Sequence, residues 1–88
     1  MNKHLYDLRI KDISISEYNV VTIFLTNNSK FTANLSSDFS KLFCYPKNLI
    51  EWKSVRINEG AFALEWDSGF DIHFDQIIAI ADNQKQTA

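Results

Sequence analysis

The 88 residues, with one cysteine, a formal net charge of −2 and 45% apolar and 14% aromatic content, are read as a single domain, 1–88, with enough apolar surface to offset the chain entropy of folding. The lone Cys44 excludes an internal disulfide and suits a reducing compartment. With no apolar run of membrane-spanning length and no signal-peptide core, a cytoplasmic protein without membrane contact is expected; the nine Lys and Arg are scattered along the chain without a run or stripe, which removes the usual electrostatic argument for nucleic-acid binding and leaves only a patch assembled by folding as a route to it.

Period-two alternation bounded by turn residues dominates the chain and predicts strands with one packed face. Leu8 and Ile10 have one parity, Ile13 and Ile15 the other, so a bulge near Lys11 and Asp12 is needed to keep all four on one side. Residues 20–26 (VVTIFLT) are apolar on both parities and predict a central strand covered on both faces. Asn27-Asn28 is expected to make a two-residue hairpin turn, with the chain returning along residues 30–33.

Leu35, Phe39, Leu42 and Phe43 fall at i, i+4, i+7 and i+8, predicting a helix over 37–44 with one apolar face, capped by Ser36 or Ser37 and ended by Pro46. Cys44 is read as a small buried apolar side chain, with a reactive thiol as the alternative.

The second half predicts a meander. Val55 and Ile57, then Phe62, Leu64 and Trp66, then Phe70, Ile72 and Phe74 are three alternating sets, separated by the turn Asn58-Glu59-Gly60-Ala61 and the loop Asp67-Ser68-Gly69, with Gly69 left-handed. Pairing around these loops sets Trp66 opposite Phe70, Leu64 opposite Ile72 and Phe62 opposite Phe74. Asp75 is the expected cap of a short last helix that packs Ile77, Ile78 and Ile80 on the sheet. The fold class is therefore α+β, a small, mostly antiparallel β-sheet domain in the order β-β-β-α-β-β-β with a short C-terminal helix. Its ordered core is expected over 8–81, with flexible ends at 1–6 and 83–88.

Candidate chemistry is sparse. Alternation points Asp71, His73 and Asp75 away from the aromatic face, a row able to orient a metal or serve acid–base work, but neighbours two apart on a strand lie about 6–7 Å apart and converge poorly on one ion. The bland alternative is a solvated face plus a helix cap. Glu65 and Asp71 become cross-strand neighbours, so Arg56 on the adjoining strand, or backbone donors of the nearby loop, should compensate them. Trp52 and Trp66 are read first as core, with interface anchoring as the alternative. No serine sits in a nucleophile elbow, and Gly60 and Gly69 are isolated hairpin glycines, so neither catalytic residues nor a cofactor site is assigned.

Trp66-Asp67-Ser68-Gly69-Phe70-Asp71-Ile72-His73-Phe74-Asp75-Gln76-Ile77-Ile78 resembles the C-terminal signature of the small bacterial proteins called domain of unknown function 2442, in which a Trp, a turn Gly, an Asp and an aliphatic residue recur in that spacing. The first half is similar, with the polar turn Thr26-Asn27-Asn28-Ser29 followed by Phe31 and Leu35, and the likeness spans about 8–81. Asn28 stands where that family usually has glycine and Asn34 where it often has Asp; the second change weakens the idea of a shared acidic site. The resemblance implies an α+β domain without assigned catalytic residues. It also implies a genomic neighbour, a small protein of domain of unknown function 4160, in an arrangement resembling toxin and antitoxin pairs.

The expected function is a non-enzymatic interaction module, the antitoxin-like partner of a small basic protein that its mild acidity would suit. A metal-dependent site or small enzyme using Asp71, His73 and Asp75 is one alternative, and DNA-linked regulation another. A homodimer through a sheet edge is also open.

Overall fold

The computed structural model describes residues 8–86. In chain order its elements are β1 (Ile10–Ser14), β2 (Val20–Leu25), β3 (Lys30–Asn34), α1 (Ser36–Phe39), α2 (Leu49–Trp52), β4 (Arg56–Ile57), β5 (Ala63–Glu65), β6 (Asp71–His73) and α3 (Phe74–Gln86). They build two antiparallel three-stranded sheets, β1-β2-β3 and β4-β5-β6, with α3 packed on β3 and β6. This is the expected α+β order with one additional short helix, α2, between the sheets. Of the ends expected to be flexible, 1–6 and 87–88 lie outside the described residues, and residues 83–86 belong to α3.

The β1–β2 register runs Ile10 to Leu25 and then Asp12 to Phe24, so Lys11 is the extra residue of a bulge. That single insertion reverses the alternation as the sequence required: Ile10 is buried, and Leu8, Ile13 and Ile15 pack against the core. In β2 only one face is fully enclosed. Val21, Ile23 and Leu25 are buried, while Val20, Thr22 and Phe24 are half-buried, and the Thr22 and Thr32 hydroxyls bond across this outer face at 2.8 Å. A three-stranded sheet with a single layer packed against it leaves its central strand one wet side, which corrects the doubly covered strand expected.

The two hairpin loops share one geometry. Around Asp67-Ser68-Gly69, the Gly69 amide donates to Trp66 O at 3.0 Å and the Trp66 amide to Phe70 O at 2.9 Å. Around Thr26-Asn27-Asn28, the Asn28 amide donates to Leu25 O and the Leu25 amide to Ser29 O, both at 2.9 Å. Each is thus a three-residue loop ending in a left-handed residue, Gly69 at φ 97° and Asn28 at φ 72°. The turn at 27–28 is one residue longer than expected because Asn28 takes the position a glycine fills in the second hairpin. Lys11 Nζ donates to Asn28 Oδ1 at 2.9 Å, tying the loop to the bulge.

The expected helix over 37–44 stops at Phe39. Its cap is neither Ser36 nor Ser37 but Leu35, which makes no side-chain cap bond; one residue earlier, Asn34 Oδ1 accepts from the Ser36 amide at 2.9 Å and the Ser36 hydroxyl at 2.7 Å. Serine and aspartate compete with helical backbone bonding, and two successive four-residue turns follow, closed by Leu42 N to Phe39 O and Tyr45 N to Leu42 O. Leu35 is buried and Phe39 packs on the core, but Leu42 and Phe43 face solvent. Helix α2, absent from the sequence reading, is announced by Asn48, whose Oδ1 accepts from the Glu51 amide at 2.9 Å.

Leu64 pairs with Ile72 and Glu65 with Asp71, and the Phe74 amide donates to Phe62 O, as the alternation demanded. Both sheets and α3 close on one core that includes Val21, Ile23, Leu25, Trp52, Leu64, Trp66, Ile72 and Ile77. A Cβ at Gly69 would meet only the Cys44 Cβ at 3.9 Å. Gly69→Ala is therefore penalised by backbone conformation alone, and urea unfolding should show a loss of about 1–2 kcal/mol; Gly69→Asn should lose clearly less.

Candidate functional site

The row of Asp71, His73 and Asp75 divides between two elements. Asp71 and His73 close β6, while Asp75 already lies in the first turn of α3. His73, not Asp75, occupies the cap: its Nδ1 accepts from the Asp75 amide at 3.4 Å, and its own amide donates to Gln76 Oε1 at 3.2 Å. This is a reciprocal capping box built on histidine and glutamine, flanked by buried Ile72 and Ile77. The imidazole also lies 3.6 Å from Asp75 Oδ2 and stacks on Phe62 at 6.0 Å between ring centroids and 12° between planes. Phe62 in turn carries the Arg9 guanidinium at 4.0 Å. His73 Nδ1 and its backbone amide are engaged in starting a helix, and among the described residues no cluster of three His, Cys, Asp or Glu is placed to hold a metal ion.

Trp52 and Trp66 are 0% and 2% exposed, which places both in the core and neither on a surface. Their indoles have ring centroids 4.9 Å apart. Gly69 and Asp71 line an open cleft of about 170 Å³ together with Arg56, Glu65, Trp66 and Phe70. Arg56 stands opposite Glu65 as expected, with Nε 3.7 Å from its carboxylate, and reaches on to Asp67 at 2.7 Å. Arg56 and Asp67 are exposed and Glu65 is half-exposed, so these pairs organise the cleft wall without stabilising the fold much.

What the sequence did not disclose is the surface over residues 42–50. Leu42, Phe43, Leu49 and Ile50 are exposed there, Phe43 to 95% and Ile50 to 84%. The chain between them is held from the inside. Ser68 Oγ donates to Cys44 O at 2.6 Å, and Tyr18 Oη to Pro46 O at 2.7 Å. Tyr45 and Pro46 are buried, and Tyr45 Oη donates to Asn19 Oδ1 at 2.6 Å. Glu51 Oε1 accepts from the Lys47 amide at 2.8 Å. A free, partly buried thiol, Cys44, lies in the same stretch. Four large apolar side chains are thus presented on a backbone pinned by two other segments. The signal in the sequence was the pair Leu42-Phe43, read as a helix face because its spacing from Leu35 happens to be helical.

Compared with known proteins, the chain matches no family model, and neither a curated protein nor a solved structure gives a significant match. No described helix is long and apolar enough to cross a membrane.

His73→Ala should lower stability by about 1 kcal/mol in urea unfolding, whereas His73→Asn, which retains an acceptor, should cost a few tenths of that. Burial, with a smaller contribution from Tyr18, pushes the Tyr45 hydroxyl well above the ordinary tyrosine range. A raised folded value favours the neutral phenol, so its contribution is complete below pH about 10, the unfolded value, and is lost as pH rises beyond it. Alkaline unfolding of the wild type should steepen above that pH, and Tyr45→Phe should flatten the curve.

Proposed function

We propose that this chain is a cytoplasmic, non-enzymatic interaction module whose docking surface is the apolar segment 42–50, and that its partner is another small protein in the manner of an antitoxin-like pair. The observation that carries this reading is the exposure of Phe43 and Ile50 on a backbone fastened at Cys44 and Pro46. Large apolar side chains displayed together mark interaction sites, and a backbone fixed beforehand lowers the ordering cost of binding. The resemblance of residues 66–78 to domain of unknown function 2442, with its implied small-protein neighbour, supports the same reading. The capping and packing duties of His73, Trp52 and Trp66 leave segment 42–50 as the surface with large apolar groups to spare.

The test is co-purification from the native host, followed by Phe43→Ser and Ile50→Ser. A stoichiometric second protein should accompany the wild type and be lost at least about tenfold in each variant, since an apolar anchor at an interface contributes roughly 1–3 kcal/mol. Because both side chains are exposed, unfolding free energies should stay within about 0.5 kcal/mol of the wild type. A protein that always purifies alone, or variants that retain the partner in full, would refute the reading.

A further inference from the structure

The stretch of chain that carries the surface proposed above, 41–53, has a net charge opposite in sign to that of the whole sequence. Residues 41–53 carry Lys41, Lys47 and Lys53 against the single acid Glu51, a local +2 in a chain whose total is −2, so that the rest of the sequence carries −4. The three lysines are exposed. Glu51 is half-buried and its carboxylate is turned onto the Lys47 amide, whereas the Lys47 ammonium stands 5.8 Å from the centre of the Phe43 ring. The most exposed aromatic side chain among the described residues, Phe43, thereby has the Lys47 ammonium at its border.

We propose, resting on the reading of segment 42–50 as a docking surface, that it receives an acidic amphipathic segment of a partner protein: an apolar stripe that covers Leu42, Phe43, Leu49 and Ile50, edged by Asp and Glu that meet Lys41, Lys47 and Lys53. This reverses the partner suggested by overall composition, a small basic protein drawn to a mildly acidic one. Net charge acts at a distance, and at physiological salt a surface charge is screened beyond about 8 Å. At contact the complementarity is set by the groups that border the apolar patch. A basic partner face placed on this segment would set lysine against lysine around Phe43, with unfavourable like-charge contacts. A second copy of the chain docking through the same segment would do so as well, and a sheet of anionic lipid offers charge without a matching apolar stripe.

The experiment replaces Phe43 with p-benzoylphenylalanine in the full chain, irradiates intact native cells and sequences the cross-linked peptide by mass spectrometry. The expected product is a peptide of a second protein in which Asp and Glu outnumber Lys and Arg around the attachment point. Its yield in lysate should fall at least about threefold between 0.1 and 0.5 M salt, and by at least as much in the Lys41→Glu, Lys47→Glu, Lys53→Glu triple variant, as for charges bordering an interface. A basic or neutral peptide, or a yield insensitive to salt and to the triple variant, overturns the acidic partner while leaving an interaction module standing. Cross-links to a second copy of this chain or to lipid alone overturn it as well. Absence of any product overturns both this inference and the docking surface on which it rests.

Discussion

Two indole hydrogen bonds hold the halves of this molecule together. Trp66 Nε1 donates to Trp52 O at 2.8 Å, and Trp52 Nε1 donates to Val20 O at 2.9 Å. The chain of contacts therefore passes from the end of β5, through α2, to the first residue of β2, linking both sheets through a helix of four residues. The rings share the load: Tyr45 packs on Trp52 at 5.7 Å and on Phe70 at 5.1 Å, and Trp66 on Phe70 at 5.0 Å. Large aromatic area supplies the burial, and each buried N–H has an acceptor, so neither indole carries the penalty of an unpaired donor. A helix as short as α2 has little stability of its own. It persists because Trp52 is anchored at both its ring and its carbonyl.

The alternation of side chains disclosed most of the sheets, and the reasons are local. A period of two has no slack, so the parity reversal between Ile10 and Ile13 required an inserted residue, and Lys11 is that residue. Gly69 announced its loop because few residues adopt positive φ easily, and register followed from the loop length. Asn28 performs the same task less visibly: asparagine enters turns of several lengths, and the bonds from Asn28 N to Leu25 O and from Leu25 N to Ser29 O distinguish three loop residues from two.

Less was legible where tertiary contacts override a local pattern. The spacing of Leu35, Phe39, Leu42 and Phe43 suits a helix, yet Ser68 and Tyr18, distant in sequence, bond to Cys44 O and Pro46 O. Those bonds draw residues 44–46 inward, and Leu42 and Phe43 are turned out. The start of α3 was missed for a different reason. Alternation from Phe70 through Phe74 continues smoothly in the sequence, so Asp71, His73 and Asp75 read as one face of one strand. Backbone hydrogen bonding changes mode at Phe74, where His73 and Gln76 close a capping box. An imidazole is a weaker signal of a helix start than serine or aspartate, although the spacing to Gln76 is that of a capping box. The far end of α3 is likewise fixed by a distant residue. Gln84 accepts from Asn34 N at 3.0 Å and donates to Asn34 O at 2.9 Å, so its side-chain amide completes the edge of β3 as a neighbouring strand would.

Segment 39–52 inverts the usual arrangement of a surface loop. Connections normally leave backbone polar groups to water and turn their apolar side chains inward. Here the carbonyls of Cys44 and Pro46 and the side chains of Tyr45, Glu51 and Trp52 are committed to bonds within the protein, while Leu42, Phe43, Leu49 and Ile50 remain in solvent. Hydrophobic collapse of the chain on itself does not lead to that outcome, since the same four side chains would contribute more if buried. Ser68 belongs to the hairpin loop and Tyr18 to the turn before β2, so the two sheets that the tryptophans join also set the orientation of this segment. The aromatic core closes over Tyr45 and Pro46 while their apolar neighbours Leu42, Phe43, Leu49 and Ile50 stay outside.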